Sequence, residues 1–304
     1  MGAKEVVEQR AKAAWEWAKR VPLLRAAIDF FSNSRTDNAA ALTYYSVLSL
    51  FPALVVGVAV IGMLDRGAID RFLDTLTDVI PNSVMETLNT ILDNLHENQS
   101  AAGTVAVLGT LTSLWAAGNY IVAFGRAADL VAERHVEKPW WRNYVVRLAL
   151  ILVCGVLGVI AVIAVASGAD LVRTLGDTWG DGEGAAKVWA GLRWPTLALV
   201  LLTMIVLLYS FAPSYRLPFR PLVPGAVLGM VLGMAASFGL GYFVSNVKNY
   251  NAVYGTLGGF IVFLIWLWLM NVVILLGYQY GVTRGKLGHL HHLEEEQGPK
   301  EKPV

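Results

Sequence analysis

The sequence predicts an all-α fold: a polytopic membrane bundle of six transmembrane helices with both termini cytoplasmic, plus amphipathic helices at residues 4–31 and 68–98. Three observations carry this. First, residues 39–64, 101–125, 148–169, 194–215, 221–247 and 251–283 contain no Asp, Glu, Lys or Arg. A helix rises about 1.5 Å per residue, so about twenty residues cross a hydrocarbon core roughly 30 Å thick, and every stretch exceeds that length. Second, 56% of the residues are hydrophobic and 15% charged, with a mean hydropathy of +0.53. A soluble domain carries about 25% charged residues. Third, with the N-terminus inside, the inner segments hold 18 of the 24 Lys and Arg residues and the outer segments 6. That is the asymmetry expected of cytoplasmic loops.

Residues 1–36 form the cytoplasmic amphipathic N-terminal segment. Val7, Ala11, Ala14, Trp15 and Ala18 recur at three- and four-residue steps, with Lys12, Lys19 and Arg20 elsewhere around the turn. The helix either lies on the anionic inner leaflet or packs under the bundle. Pro22 should break or re-aim it. No small-residue cleavage site precedes the first apolar run, so no cleavable signal peptide is expected.

Residues 37–284 form the membrane domain. Thr36, Asp37 and Asn38 offer helix caps before the first span, whose cytoplasmic half is polar (Thr43, Tyr44, Tyr45, Ser46, Ser49) and is followed by Pro52. A proline within a span frees a carbonyl, which neighbouring helices or water must satisfy. This half should therefore face protein or water. In the outer segment, Ile69, Phe72, Leu73 and Leu76 make one apolar stripe, and Val84, Leu88, Ile91 and Leu95 another after Pro81. Residues 170–193 are Gly-rich and acidic and read as a mobile loop; 285–304 read as a disordered cytoplasmic tail. Gly225, Gly229, Gly233, Ser237 and Gly241 repeat every fourth residue, and Gly277, Gly281 and Gly285 do the same on the last span. Such small-residue ladders let helix backbones approach closely. The first reading is packing within one chain; the alternatives are a homo-oligomer interface or a sliding contact.

The chemistry is sparse. No phosphate loop, dinucleotide fingerprint, nucleophile elbow or zinc motif occurs, and His289, His291 and His292 read as a solvated tail. No catalytic residue, metal ligand or cofactor is assigned, and the chain reads as a non-enzyme. A net charge of +1 gives no pointer to nucleic acid, and none is expected as a partner. Cys154 stands alone mid-span and reads as a small apolar residue. Asn119, Asn271 and Gln279 lie at membrane depth and must find partners there. They either glue helices or line a path.

At several of these positions the chain resembles the YihY/BrkB family of bacterial inner-membrane proteins. Asp37, the Ala run 39–41, Tyr44, Tyr45, Ser49, Leu50, Phe51 and Pro52 match the family's first-span signature. Pro213, Pro224, Gly225, Ala226, the run 254–258, Trp266, Trp268, Leu276 and Gly277 match its second half. Asp129 and Leu130 interrupt the family's Ala-Leu-Asn segment. The resemblance implies a six-span protein of the bacterial plasma membrane without a settled activity, for which export of lipid-like compounds is one idea and ribonuclease an older label.

The functional expectation is a transporter or exporter of a lipid-like or amphipathic compound, with membrane lipids as partners. Tyr44, Tyr45 and Ser49 would face Asn119, Asn271 and Gln279, with Pro52 bending the helix and Asp37 pairing with Arg126 as a cytoplasmic gate. The rivals are a scaffold binding partners at the cytoplasmic face and a membrane-associated hydrolase using Asp129 and Glu133.

Overall fold

The computed structural model describes residues 21–32, 35–64, 99–133, 140–166, 182–246 and 257–296. All regular structure among them is helical: α1 (Pro22–Ser32), α2 (Arg35–Leu64), α3 (Gln99–Ala132), α4 (Trp140–Ala166), α5 (Gly182–Phe211), α6 (Phe219–Asn246) and α7 (Leu257–Glu296). The outer pair expected at 68–98 and the residues before 21 lie outside the described residues.

Among the described residues, four helices contain segments long and apolar enough to cross a membrane: Tyr144–Ala161, Gly191–Phe211, Phe219–Val244 and Gly258–Lys286. The stretches read as the first two spans lie on α2 and α3, of 30 and 34 residues.

Several boundaries differ from the sequence reading, each for a local reason. Pro22 begins α1, because proline's fixed φ suits the first helical position and its missing N–H is not needed there; the helix it was expected to break lies outside the described residues. α5 starts at Gly182, inside the stretch read as a mobile loop, since Ala185, Ala186, Val188, Trp189 and Ala190 favour a helix over the few flanking glycines. It ends at Phe211, short of the expected 215, where Pro213 cannot donate a helical hydrogen bond. α7 runs on to Glu296, past the expected tail boundary at 285; Leu287, Leu290 and Leu293 with the following glutamates are good helix formers. α4 starts at Trp140, so Arg147 lies within the segment Tyr144–Ala161. Arg193, Arg220, Arg284 and Lys286 likewise lie near the ends of the other three segments, so these segments extend past the charge-free stretches.

The most extensive packing joins α6 to α7, then α2 to α3. The first contact is a glycine ladder. A Cβ added to Gly225 would lie 2.5 Å from the Gly277 carbonyl oxygen, and one added to Gly277 would lie 2.6 Å from that of Gly225. Gly281 packs on Pro221 in the same way, and Gly229 faces the Tyr209 hydroxyl. Gly233 makes ordinary contacts with Met270 and Val273, while Ser237 accepts a hydrogen bond from Trp266 Nε1 at 3.0 Å. Gly241 has open space beside it. The stripe thus packs tightly at the Gly225 end and separates toward Gly241.

The buried core gathers where the start of α2, the end of α3, the end of α5, the start of α6 and the second half of α7 meet. Leu42, Phe124, Tyr209, Leu222, Leu275 and Tyr278 are fully buried there. Phe124 stacks on Tyr209 at 5.9 Å, and Tyr278 meets both rings edge-on. Tyr209 donates to the Ile274 carbonyl, anchoring α5 to α7. At the other end, Leu108, Val156, Leu199, Phe238 and Tyr242 are exposed. A bundle solvated by lipid can present such residues outward, because hydrocarbon exacts no penalty for them.

Candidate functional site

Among the described residues, two polar centres are built on α7. The first surrounds Asn271, which is 3% exposed. Its amide nitrogen donates to Leu267 O one turn back at 2.9 Å, and lies 3.3 Å from both Thr43 Oγ1 and Ser46 Oγ on α2. Its Oδ1 accepts from the Tyr120 hydroxyl on α3 at 3.0 Å. Thr43 and Ser46 in turn donate to Ala39 O and Leu42 O of their own helix at 2.8 and 2.9 Å. Every polar atom of the Asn271 amide is engaged, so this centre ties α2, α3 and α7 together.

The second centre is a cavity of about 230 Å³ at the end of the bundle where the core lies. α1 supplies Arg25 and Asp29, α2 supplies Arg35, and Glu133 follows the last residue of α3. From α7 come Gln279, Thr283 and Lys286, spaced to share one helix face. Lys286 Nζ lies 2.9 Å from Glu133 Oε2, and Arg25 Nε lies 4.0 Å from Asp29 Oδ2. Arg35 is 6% exposed, and its Nε and Nη1 are buried without a hydrogen-bond partner among the described residues. Burial pulls its guanidinium below the ordinary value, while Glu133 and Asp29 oppose that shift. Gln279 Oε1 is likewise buried and unpartnered among the described residues. The Glu133 carboxyl is held below its usual range by the hydrogen bond and charge of Lys286. Its φ of 54° is left-handed, where a glycine would normally end a helix.

The residues singled out from sequence do not converge on one path. Asn271 meets Thr43, Ser46 and Tyr120 in the first centre. Gln279 lies in the second, two helical turns further along. Asn119 turns instead toward α4, where its Oδ1 accepts from Arg147 Nη2 at 3.1 Å. Tyr44 is 62% exposed and lies edge-on to Tyr45, which packs against the core. Ser49 donates to Ser46 O on its own helix. Pro52 lies within α2. Asp37 and Arg126 are both exposed, and no ion pair joins them among the described residues. The proposed gate pair is thus not formed; Asp129, one turn after Arg126, is the buried carboxylate, its Oδ1 accepting from the N–H groups of Ser214 and Tyr215 at 2.7 and 3.3 Å.

Sequence reasoning missed Arg25, Asp29, Arg35, Tyr120, Thr283 and Lys286 as members of these centres. Arg35 and Lys286 were counted only as inside charges. The available signal was their position: each lies beside an apolar stretch, within a helical turn or two of a polar residue inside it.

A helical bundle with several apolar membrane-crossing segments, polar centres inside and a charged cavity at one end defines a multi-pass membrane protein. The chain belongs to the virulence factor BrkB family, whose model matches residues 29–301. It is similar to YfkH of Bacillus subtilis (strain 168), whose name calls it ribonuclease-like: 29% identical over 267 residues, covering 88% of this chain and 93% of YfkH. It is also 29% identical over 293 residues to a UPF0761 membrane protein of Alkalilimnicola ehrlichii, and 28% identical over 262 residues to one of Xanthomonas campestris pv. campestris. These matches cover 90% and 82% of this chain but 62% and 57% of those longer proteins. No solved structure matches the chain. Together with the apolar helices, these relatives make this a multi-pass protein of a bacterial membrane.

Proposed function

We propose that this chain is a six-span plasma-membrane protein with both termini in the cytoplasm that accommodates and moves an amphipathic, lipid-like molecule. The observation carrying this reading is the charged cavity against α7, with a buried guanidinium whose Nε and Nη1 have no hydrogen-bond partner among the described residues. A purely structural cavity gains nothing from keeping such a group, since an unpaired buried charge is costly. An apolar furrow of about 390 Å³ flanks the same two helices, α1 at Leu23 and α7 at Tyr280, with α6 forming its floor through Val223, Val227 and Val231. A headgroup and an acyl chain need such surroundings close together. The excess of Lys and Arg on the inner segments supports the orientation, which sets the cavity at the cytoplasmic surface.

We read the chain as a non-enzyme. The carboxylates a hydrolase reading would use are engaged: Asp129 holds the backbone of Ser214 and Tyr215, and Glu133 holds Lys286. At these two positions, the ribonuclease-like name of YfkH finds no free carboxylate among the described residues. The test is reconstitution into vesicles, followed by lipid scrambling and solute flux across a broad panel. Flux above empty vesicles, reduced in an Arg35→Gln variant, is expected. No acceleration with any member of the panel overturns the reading.

A further inference from the structure

The cavity's charges specify its occupant. Lys286 and Glu133 form one ion pair, and Arg25 and Asp29 lie at ion-pair distance from each other. That leaves the single positive charge of Arg35 uncompensated at contact range, with buried Nε and Nη1 directed at no protein acceptor among the described residues. Each of these nitrogens carries N–H donors suited to a charge-assisted hydrogen bond with a carboxylate or phosphate oxygen. Gln279 Oε1 adds an unused buried acceptor on the same cavity wall. Thr283, 4% exposed, adds a hydroxyl that can donate or accept. At about 230 Å³ the cavity has room for several waters or a small polar group.

We propose that the cavity binds a singly charged oxyanion that also bears a hydroxyl, of the kind found in a glycerol phosphodiester headgroup, with the oxyanion on Arg35 and the hydroxyl on Gln279. This rests on the reading of the chain as a protein that accommodates amphipaths, and it names what that site selects. Glu133 and Asp29 act as internal competitors. Both carboxylates face Arg35 across the cavity, and the ligand takes over the role they fill at longer range. Removing the Glu133 charge therefore tightens binding.

The test uses full-length protein in phosphatidylcholine nanodiscs, with bound ligand resolved by native mass spectrometry. The probes are phosphatidylglycerol and its water-soluble diester, glycerophosphoglycerol. Wild-type protein is expected to retain phosphatidylglycerol in preference to phosphatidylcholine. Arg35→Gln should weaken retention by about tenfold or more, the loss of a charge-assisted hydrogen bond, and Arg35→Lys should weaken it less. Glu133→Gln should tighten it several-fold, a gain that misfolding cannot mimic. Binding of the lipid alone assigns the bilayer as the source, and binding of the soluble diester assigns a cytoplasmic one; either supports the site. Equal retention of phosphatidylcholine, an unchanged affinity in Arg35→Gln, or no gain in Glu133→Gln overturns it. Arg35-dependent binding without flux keeps the site and removes the transport reading, whereas flux indifferent to Arg35 does the reverse.

Discussion

Substituting Gly277 by alanine tests whether the α6–α7 ladder holds the bundle together. The added Cβ would sit 2.6 Å from Gly225 O, 2.8 Å from the Tyr209 hydroxyl and 3.0 Å from Gly229 Cα. Two of these obstacles are backbone and cannot rotate away. Reaching an ordinary contact of 3.4 Å requires the helices to part by about 0.8 Å. A gap of that size forfeits roughly a quarter to a half of each dispersion contact along the interface, and overpacking of this kind costs about 1–3 kcal/mol. Displacing Tyr209 from Ile274 O adds about 1 kcal/mol for a lost hydrogen bond. Replacing glycine by alanine within a helix returns about 1 kcal/mol. The expected net loss is about 1–3 kcal/mol, read as a lower unfolding midpoint in a detergent titration followed by tryptophan fluorescence. Gly241→Ala is the control: nothing lies within 4 Å of its Cβ, so only the propensity gain remains and the variant should be slightly more stable. Equal stability of Gly277→Ala and wild type, or equal destabilisation by both substitutions, would refute the argument.

Three further outcomes follow from the polar centres. Asn271→Leu leaves Thr43 and Ser46 bonded to their own helix but strands the half-buried Tyr120 hydroxyl. It should cost about 1–3 kcal/mol, and adding Tyr120→Phe should recover part of that loss in a double-mutant cycle. Asp129→Asn keeps an acceptor for the Ser214 and Tyr215 amides but loses its charge, so the unfolding midpoint should fall by the equivalent of about 1 kcal/mol. Glu133 has a folded pKa below its ordinary 4.5, so its pairing with Lys286 stabilises the fold above that value and is lost as pH falls through the depressed folded value. Because both side chains are half-exposed or more, this step should amount to less than about 1 kcal/mol in acid titrations and vanish in Glu133→Gln.

The residues show why the architecture was legible in the sequence and the site only partly so. Membrane helices announce themselves through runs of one property, and the glycine ladder announces a close helix contact through its spacing, which Gly225 and Gly277 fulfil backbone to backbone. Spacing fixes the face of one helix but not the neighbour it meets. Asn119 and Tyr120 are adjacent on α3, about 100° apart around the axis, and so reach different helices: Asn119 meets Arg147 on α4, and Tyr120 meets Asn271 on α7. The sequence marked Asn119 because amides stand out in an apolar run, whereas a tyrosine reads as ordinary membrane composition. In the sequence Arg35 and Lys286 bear only on orientation, although a helix end is also where chains converge. Arg35 opens α2 two residues before Asp37, yet the arginine turns inward beneath α7 and the aspartate remains in solvent. Two residues are about 200° of helical rotation, enough to put the former in the cavity and the latter outside. Which of the two faces inward is set by α1 and α7 packing against α2, long-range contacts that no local pattern encodes.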